Sequence, residues 1–123
     1  MKSYTDLEQS KKLAEILPFE SADMYYTPPL IKGHTDYIPH LKRKLPIDWD
    51  IEQKTPCWSL TALISVLPRV DIEKETWTDD TYDYRVKAYI DDGYVGDWFD
   101  NPVDACYDMI IKLNKDKLLY VQQ

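Results

Sequence analysis

Only three of the 123 residues are glycine, at positions 33, 93 and 96. Phosphate-binding loops need glycine where the backbone closes on the anion. No Gly-x-Gly-x-x-Gly, Walker or Gly-x-Ser-x-Gly pattern occurs, which all but excludes nucleotide enzymes. Histidine is equally scarce. His34 and His40 stand six residues apart in a proline-containing stretch near Asp36. That is not the i, i+4 spacing that offers two imidazoles to one metal, and both read as surface residues. The two cysteines, Cys57 in Pro-Cys-Trp and Cys106 in Ala-Cys-Tyr, lack the pairing of a zinc ribbon and read as buried thiols rather than a disulfide. Cys106, near a helix N-terminus, is the better nucleophile candidate, but neither thiol has an evident activating base. No run approaches the roughly 18 apolar residues of a membrane span. The opening residues Met1 to Asp6 lead into a polar helical pattern without an apolar h-region, so a cytoplasmic protein is expected.

What the chain does have is aromatic and acidic residues. A hydrophobic fraction of 44% and an aromatic fraction of 13% suit one folded domain over residues 1–123. The net charge of −7 is uneven: residues 1–70 carry nine acids and nine bases, 71–108 twelve and three, and 109–123 one and three. The middle segment alone holds a balance of −9. Such a field repels nucleic acid and favours a basic protein partner, besides keeping the chain in solution.

Thr5-Asp6-Leu7-Glu8 has the spacing of a capping box and predicts a helix from Thr5 to Leu17, stopped by Pro18. Leu60, Leu63, Ile64 and Leu67 repeat at helical spacing and predict a second helix over 59–67. In it Ser59 is the cap and Trp58 and Leu63 form a hydrophobic staple, although a start with Thr55 as cap and Pro56 at N1 is also allowed. Asn101-Pro102 with Asp104 opens a third helix over 102–114, buried along Val103, Cys106, Tyr107, Ile110 and Leu113. Between 70 and 99 the period changes to two. Tyr82, Tyr84, Val86, Ala88 and Ile90 face one way, and Asp83, Arg85, Lys87 and Tyr89 the other. The expected fold is α+β: a small antiparallel meander of about three strands over 70–99, with the helices packed on one face. Met24-Tyr25-Tyr26 reads as a brief strand stopped by Pro28 and Pro29. A proline-rich surface excursion follows over about 27–55, packing down through Leu30, Ile31, Tyr37, Ile38, Leu41, Leu45, Ile47 and Trp49 and carrying the basic run Lys42-Arg43-Lys44.

The densest stretch runs from Ile90 to Pro102. A two-residue Asp92-Gly93 turn would face Ala88 with Asp97 and push that carboxylate into the apolar face. A three-residue loop with left-handed Gly93 would face Ile90 with Tyr94 and Lys87 with Asp97, an exposed and harmless pair, and is the expected register. Asp91, Asp92, Asp97 and Asp100 do not follow the spacing of a calcium loop, and strand geometry sends neighbouring carboxylates to opposite faces. No catalytic, cofactor-binding or metal-ligating residue is assigned. The candidate interaction surface is Tyr89, Asp91, Asp92, Asp97, Trp98 and Phe99.

Four groups of residues support a comparison: Thr5 to Leu13; Ala22 to Tyr25; Pro56 to Leu60 with Leu67-Pro68; and Asn101 to Ala105 with Met109 to Leu113. In that order they resemble segments of small uncharacterised proteins encoded by phages and prophage-like elements of gut bacteria. The chain departs from them in a longer stretch over Thr27 to Lys54. The resemblance implies a mobile-element origin and no catalytic residue. The expected function is therefore a non-enzymatic accessory role through protein–protein contact. The alternatives are an acidic DNA mimic that occupies a nucleic-acid-binding protein, and a small hydrolase with its site near His34, Asp36 and His40.

Overall fold

The computed structural model describes residues 2–28, 37–41, 54–90 and 93–119. The expectations for Leu30, Ile31, His34, Asp36, Lys42-Arg43-Lys44, Leu45, Ile47, Trp49, Asp91 and Asp92 lie outside the described residues.

The elements run α1 (Leu7–Ala14), β1 (Met24–Thr27), β2 (Ile38–Leu41), β3 (Thr55–Cys57), α2 (Leu60–Val66), β4 (Val70–Thr76), β5 (Tyr82–Ala88), β6 (Tyr94–Val95) and α3 (Pro102–Lys115). A short 3-10 turn at Phe19–Ser21 links α1 to β1. Two antiparallel three-stranded sheets result, ordered β2-β1-β3 and β4-β5-β6. The fold is α+β, with the expected meander and a second sheet that the sequence reading left inside its excursion.

That second sheet corrects the account of residues 27–55. β1 pairs with β2 through Met24–Leu41 to Thr27–Ile38 and with β3 through Met24–Cys57 to Tyr26–Thr55. Both edge strands carry a proline, Pro39 and Pro56, where a missing N–H can be turned away from the ladder. Because Thr55–Cys57 is a strand, the early helix start at Thr55 is ruled out. α2 is capped by Ser59, whose hydroxyl accepts from the Ala62 N–H at 3.2 Å. Trp58 and Leu63 sit fully buried at the two staple positions.

The cap of α1 also needs correction, by one residue. Asp6 is the N-cap, accepting from the Gln9 N–H at 2.8 Å, while the Gln9 side-chain oxygen accepts from the Asp6 N–H at 3.1 Å. Thr5 cannot cap because it is fully buried and its hydroxyl is committed to the Ser10 hydroxyl and the Trp58 N–H. Regular helix stops at Ala14, and a final turn, Leu17 N–H to Leu13 C=O at 2.7 Å, carries the chain to Pro18. α3 starts as expected: Asn101 accepts from the Asp104 N–H at 2.8 Å and Pro102 occupies the first turn.

In the meander β4 pairs with β5 without interruption, from Val70–Ala88 to Thr76–Tyr82. The outer strand differs from expectation: Ala88 faces Tyr94 and Lys87 faces Val95, so Lys87 does not meet Asp97. The expected Ile90–Tyr94 register fails because the Gly93 N–H bonds the Ile90 C=O at 2.9 Å, which places Ile90 in the turn rather than in the strand and leaves Ala88 to face Tyr94. Gly93 does take the left-handed conformation, with φ 93°. One extra residue then enters the outer strand. Val86 bonds Gly96 while Tyr84 exchanges two bonds with Phe99, leaving three steps opposite two. This bulge returns Phe99 to the core side and turns Trp98 outward.

α3 lies on β5 and against α2, and the main core forms there from Leu13, Trp58, Leu63, Val86, Val103, Cys106, Met109, Ile110 and Leu113. α1 lies beside β3 of the other sheet and sends Leu13 into the same core as α2 and α3. Gly96 marks a close approach: a Cβ there would stand 3.2 Å from the Val86 carbonyl oxygen and 3.5 Å from the Met109 methyl carbon. Among the described residues, no helix is long and apolar enough to cross a membrane.

Candidate interaction surface

Alternation gives β5 a dry face of Tyr84, Val86 and Ala88, and an outer face of Asp83, Arg85 and Lys87. The register places Glu75, Glu73 and Asp71 of β4 directly beside them. Glu73 is the centre of this face. Its Oε2 accepts from Arg85 Nε and Nη2, each at 2.9 Å, and its Oε1 lies 2.7 Å from Lys87 Nζ. Those contacts, Lys87 foremost, hold the Glu73 carboxyl below its ordinary range. Glu75 and Asp83 form a like-charge pair, and among the described residues no ion pair reaches Glu75 or Asp71.

Aromatic rings finish the face at both ends. The Arg85 guanidinium lies 4.6 Å from the Trp98 ring centre, and Trp77 meets Trp98 edge to face at 6.1 Å. Trp77 remains 42% exposed, and its Nε1–H donates to Asp83 at 2.7 Å. At the other end Tyr89, 52% exposed, donates its hydroxyl proton to Asp71 and lies under Arg69, 5.4 Å away. The Asp71 bond keeps the Tyr89 phenol above its usual pKa.

Of the residues singled out from sequence, Tyr89 and Trp98 lie on this outer face, Phe99 packs partly buried against the core, and Asp91 and Asp92 lie outside the described residues. Asp97 is exposed, as expected, but its cation is Lys112 of α3 at 3.1 Å rather than Lys87. Lys112 also pairs with Asp108 at 3.0 Å, and although desolvation works against its charge, the two carboxylates hold its pKa above the ordinary value. Sequence reasoning missed Trp77, Glu73 and Arg85. The signal was present in the first hairpin, where a loop of Thr78-Asp79-Asp80 sets Glu73 opposite Arg85 and Asp71 opposite Lys87.

Other reactive groups are held by structural contacts. Cys57 and Cys106 are free, buried thiols, and burial pushes both up, Cys106 to about 12, away from the thiolate that nucleophilic work requires. The Ser59 hydroxyl donates to Asp23 and caps α2, and His40 Nε2 stands 3.1 Å from the Thr27 hydroxyl. No group of three metal-ligating side chains occurs among the described residues. A shallow pocket of about 400 Å³ is lined by Lys2, Ser3, Tyr4, Asp6 and Tyr26. Set against family models, curated proteins and solved structures, the chain matches none.

Proposed function

We propose that this chain is a non-enzymatic accessory protein of phage or prophage type that works by holding a protein partner against the outer face of the β4–β6 meander. The observation that carries the reading is the exposed Trp77 set edge to face on a half-buried Trp98, with Arg85 over the Trp98 ring, on a sheet face rich in acids. Tryptophan, tyrosine and arginine concentrate binding energy at protein interfaces, and here all three are anchored by neighbours, so little freedom is lost on binding. A solvated sheet face needs none of these rings for folding. The acids favour a basic partner.

The DNA-mimic alternative is weaker on this geometry. A mimic needs an uninterrupted row of carboxylates spaced like phosphates. Glu73, Asp97, Asp104 and Asp108 are instead each ion-paired within the chain, and Asp71, Glu75 and Asp83, which lack an ion pair among the described residues, share their face with Arg85, Lys87 and the tryptophans. Affinity capture from a host lysate tests the proposal. The wild-type chain is expected to retain a partner that the Trp77→Ala/Trp98→Ala double variant releases, at unchanged far-ultraviolet circular dichroism. Equal capture by both proteins would remove it.

A further inference from the structure

Among the described residues the meander is open on its β4 side, whereas on the β3 side of the first sheet the chain makes a further pairing. Beyond β3, the N-terminal segment runs antiparallel along residues 58–60, with Thr5 N–H on the Trp58 C=O at 2.9 Å and Leu60 N–H on the Ser3 C=O at 3.2 Å. Beyond β4, no strand pairs among the described residues. Which groups face that edge follows from the ladder. Arg69 bonds Tyr89 and Trp77 bonds Thr81, at 2.8 and 2.9 Å, and the register between them is unbroken. Bonded pairs alternate in an antiparallel ladder, so Asp71, Glu73 and Glu75 spend their backbone groups on β5. Val70, Ile72, Lys74 and Thr76 turn theirs outward, a row of donors and acceptors roughly 7 Å apart.

Native sheets guard such edges because they template another strand. The side chains here define which strand is refused. Two copies of β4 joined antiparallel by their free edges set even residues against even ones and odd against odd. In the register of fullest overlap Glu73 stands opposite Glu73 and Asp71 opposite Glu75, so the acids of the two copies meet. A strand with lysine or arginine at alternate positions meets the same three acids favourably, and its intervening apolar residues fall beside Val70 and Ile72, which are partly buried against the core.

We infer that β4 is a docking edge for an extended segment of a partner chain with basic residues at alternate positions, added as a fourth strand to the meander. This deepens the reading given under the proposed function, since the basic side chains would continue the outer face that carries Arg85 and Trp98.

The test uses the full chain and a peptide of β4's length that alternates lysine and valine. Controls are the same peptide N-methylated on the residues turned toward β4, and a version with glutamate for lysine. At saturation the amides of Val70, Ile72, Lys74 and Thr76 are expected to exchange at least about tenfold more slowly, and N-methylation to weaken binding by about tenfold or more. Lys74→Pro removes one outward donor while leaving the bonds to β5, and should weaken binding similarly. The glutamate peptide should not bind. Unchanged exchange at those four amides, or equal binding of the N-methylated peptide, overturns strand addition. So does slowed exchange there in the concentrated chain alone, because the occupant would then be a second copy. If the double tryptophan variant loses its lysate partner while the edge amides stay unmoved, the outer face stands and the docking edge falls.

Discussion

The two sheets bury their middle strands differently. β1 is buried at all four residues, with Tyr26 and Thr27 among them, whereas β5 alternates buried and half-exposed residues along its length. In the first sheet polar groups had to be satisfied inside: the Tyr26 hydroxyl donates to the Thr5 C=O at 2.7 Å, and Thr5, Ser10 and Cys57 close a small buried network around it. In the second, polar groups are kept on the water side and only one face is dry. A strand enclosed on both faces cannot change its side chains cheaply. One with a wet face can use that face for another purpose.

The largest test falls where α2 enters from the first sheet. Trp58 is fully buried, and its Nε1–H donates to Ser21 at 3.0 Å. Trp58→Ala should cost about 4 kcal/mol in urea unfolding, a large share of a small domain's stability. A loss below about 1 kcal/mol would mean that the main core, onto which β5 turns its dry face, is loosely packed and that the dry side of β5 is no more demanding than its wet side.

Next comes the clasp that ties the N-terminus to α3. Lys2 Nζ reaches Asp104 at 2.8 Å and Asp6 at 3.0 Å, and Asp104 also accepts from Gln9 and Asn101. Burial alone would raise the Asp104 pKa, but these donors hold it below the ordinary value. Its folded pKa lies under the unfolded one, so the contribution is complete above about pH 4 and is lost as pH falls through the folded value. Asp104→Asn should therefore cost about 2 kcal/mol at neutral pH, with the deficit relative to wild type shrinking in acid. For Lys2 desolvation opposes the charge, yet bonds to Asp104 and Asp6 raise its pKa overall, so its share persists below the unfolded pKa and disappears as pH rises through the folded one. A pH-independent deficit would remove the charged clasp from the account.

How much of this was legible depended on whether order was local. Asn101-Pro102 with Asp104, and Trp58-Ser59 with Leu63, announce helix starts because every partner lies within a few residues. The alternation of Tyr82 to Ile90 announces a strand with one wet face. β1 gave only a weak signal, since four successive buried residues have no period, and its partners β2 and β3 are short, far along the chain and interrupted by Pro39 and Pro56. The outer hairpin was misread because its register is set by a turn bond from the Gly93 N–H to the Ile90 C=O and by an extra residue before Phe99, neither of which side-chain pattern reports. The candidate surface was half legible. Trp98 and Tyr89 stood out by composition, but Trp77 and the Glu73–Arg85 pair emerge only once β4 is laid against β5.

A matched pair of substitutions sharpens the contrast directly. Tyr26→Phe leaves the Thr5 carbonyl only the weak Cys57 S–H donor at 3.5 Å in the buried region and should cost about 1.5 kcal/mol. Trp98→Ala removes a larger side chain from the wet face, where the ring's contact with Arg85 is partly solvated, and should cost no more than about 1 kcal/mol. Urea midpoints at equal slope check both. Reversal of that order would show that the outer tryptophans are needed for folding and would weaken the case that they serve a partner.

The smallest effect concerns the turns that deliver the wet face. Asp80 closes the β4–β5 hairpin with φ 64°, while the Asp79 carboxylate accepts from the Thr81 N–H and hydroxyl. The left-handed conformation costs a residue with a Cβ about 1 kcal/mol or more, although aspartate tolerates it better than most. Asp80→Gly relieves that strain, but the freer unfolded chain returns much of the gain, so the net is a stabilisation of about 0.5 kcal/mol or less. Gly93→Ala at the second hairpin is the reverse experiment. Its new Cβ would meet only the Ala88 carbonyl oxygen at 3.9 Å, so the expected loss of about 1 kcal/mol comes from the backbone at φ 93° and not from crowding. Opposite signs for the two variants, read from thermal midpoints, would establish that both reversals are set by backbone handedness. If both destabilise, the Asp80 side chain holds the first loop, and Trp77 owes its place beside Trp98 to that carboxylate rather than to the turn.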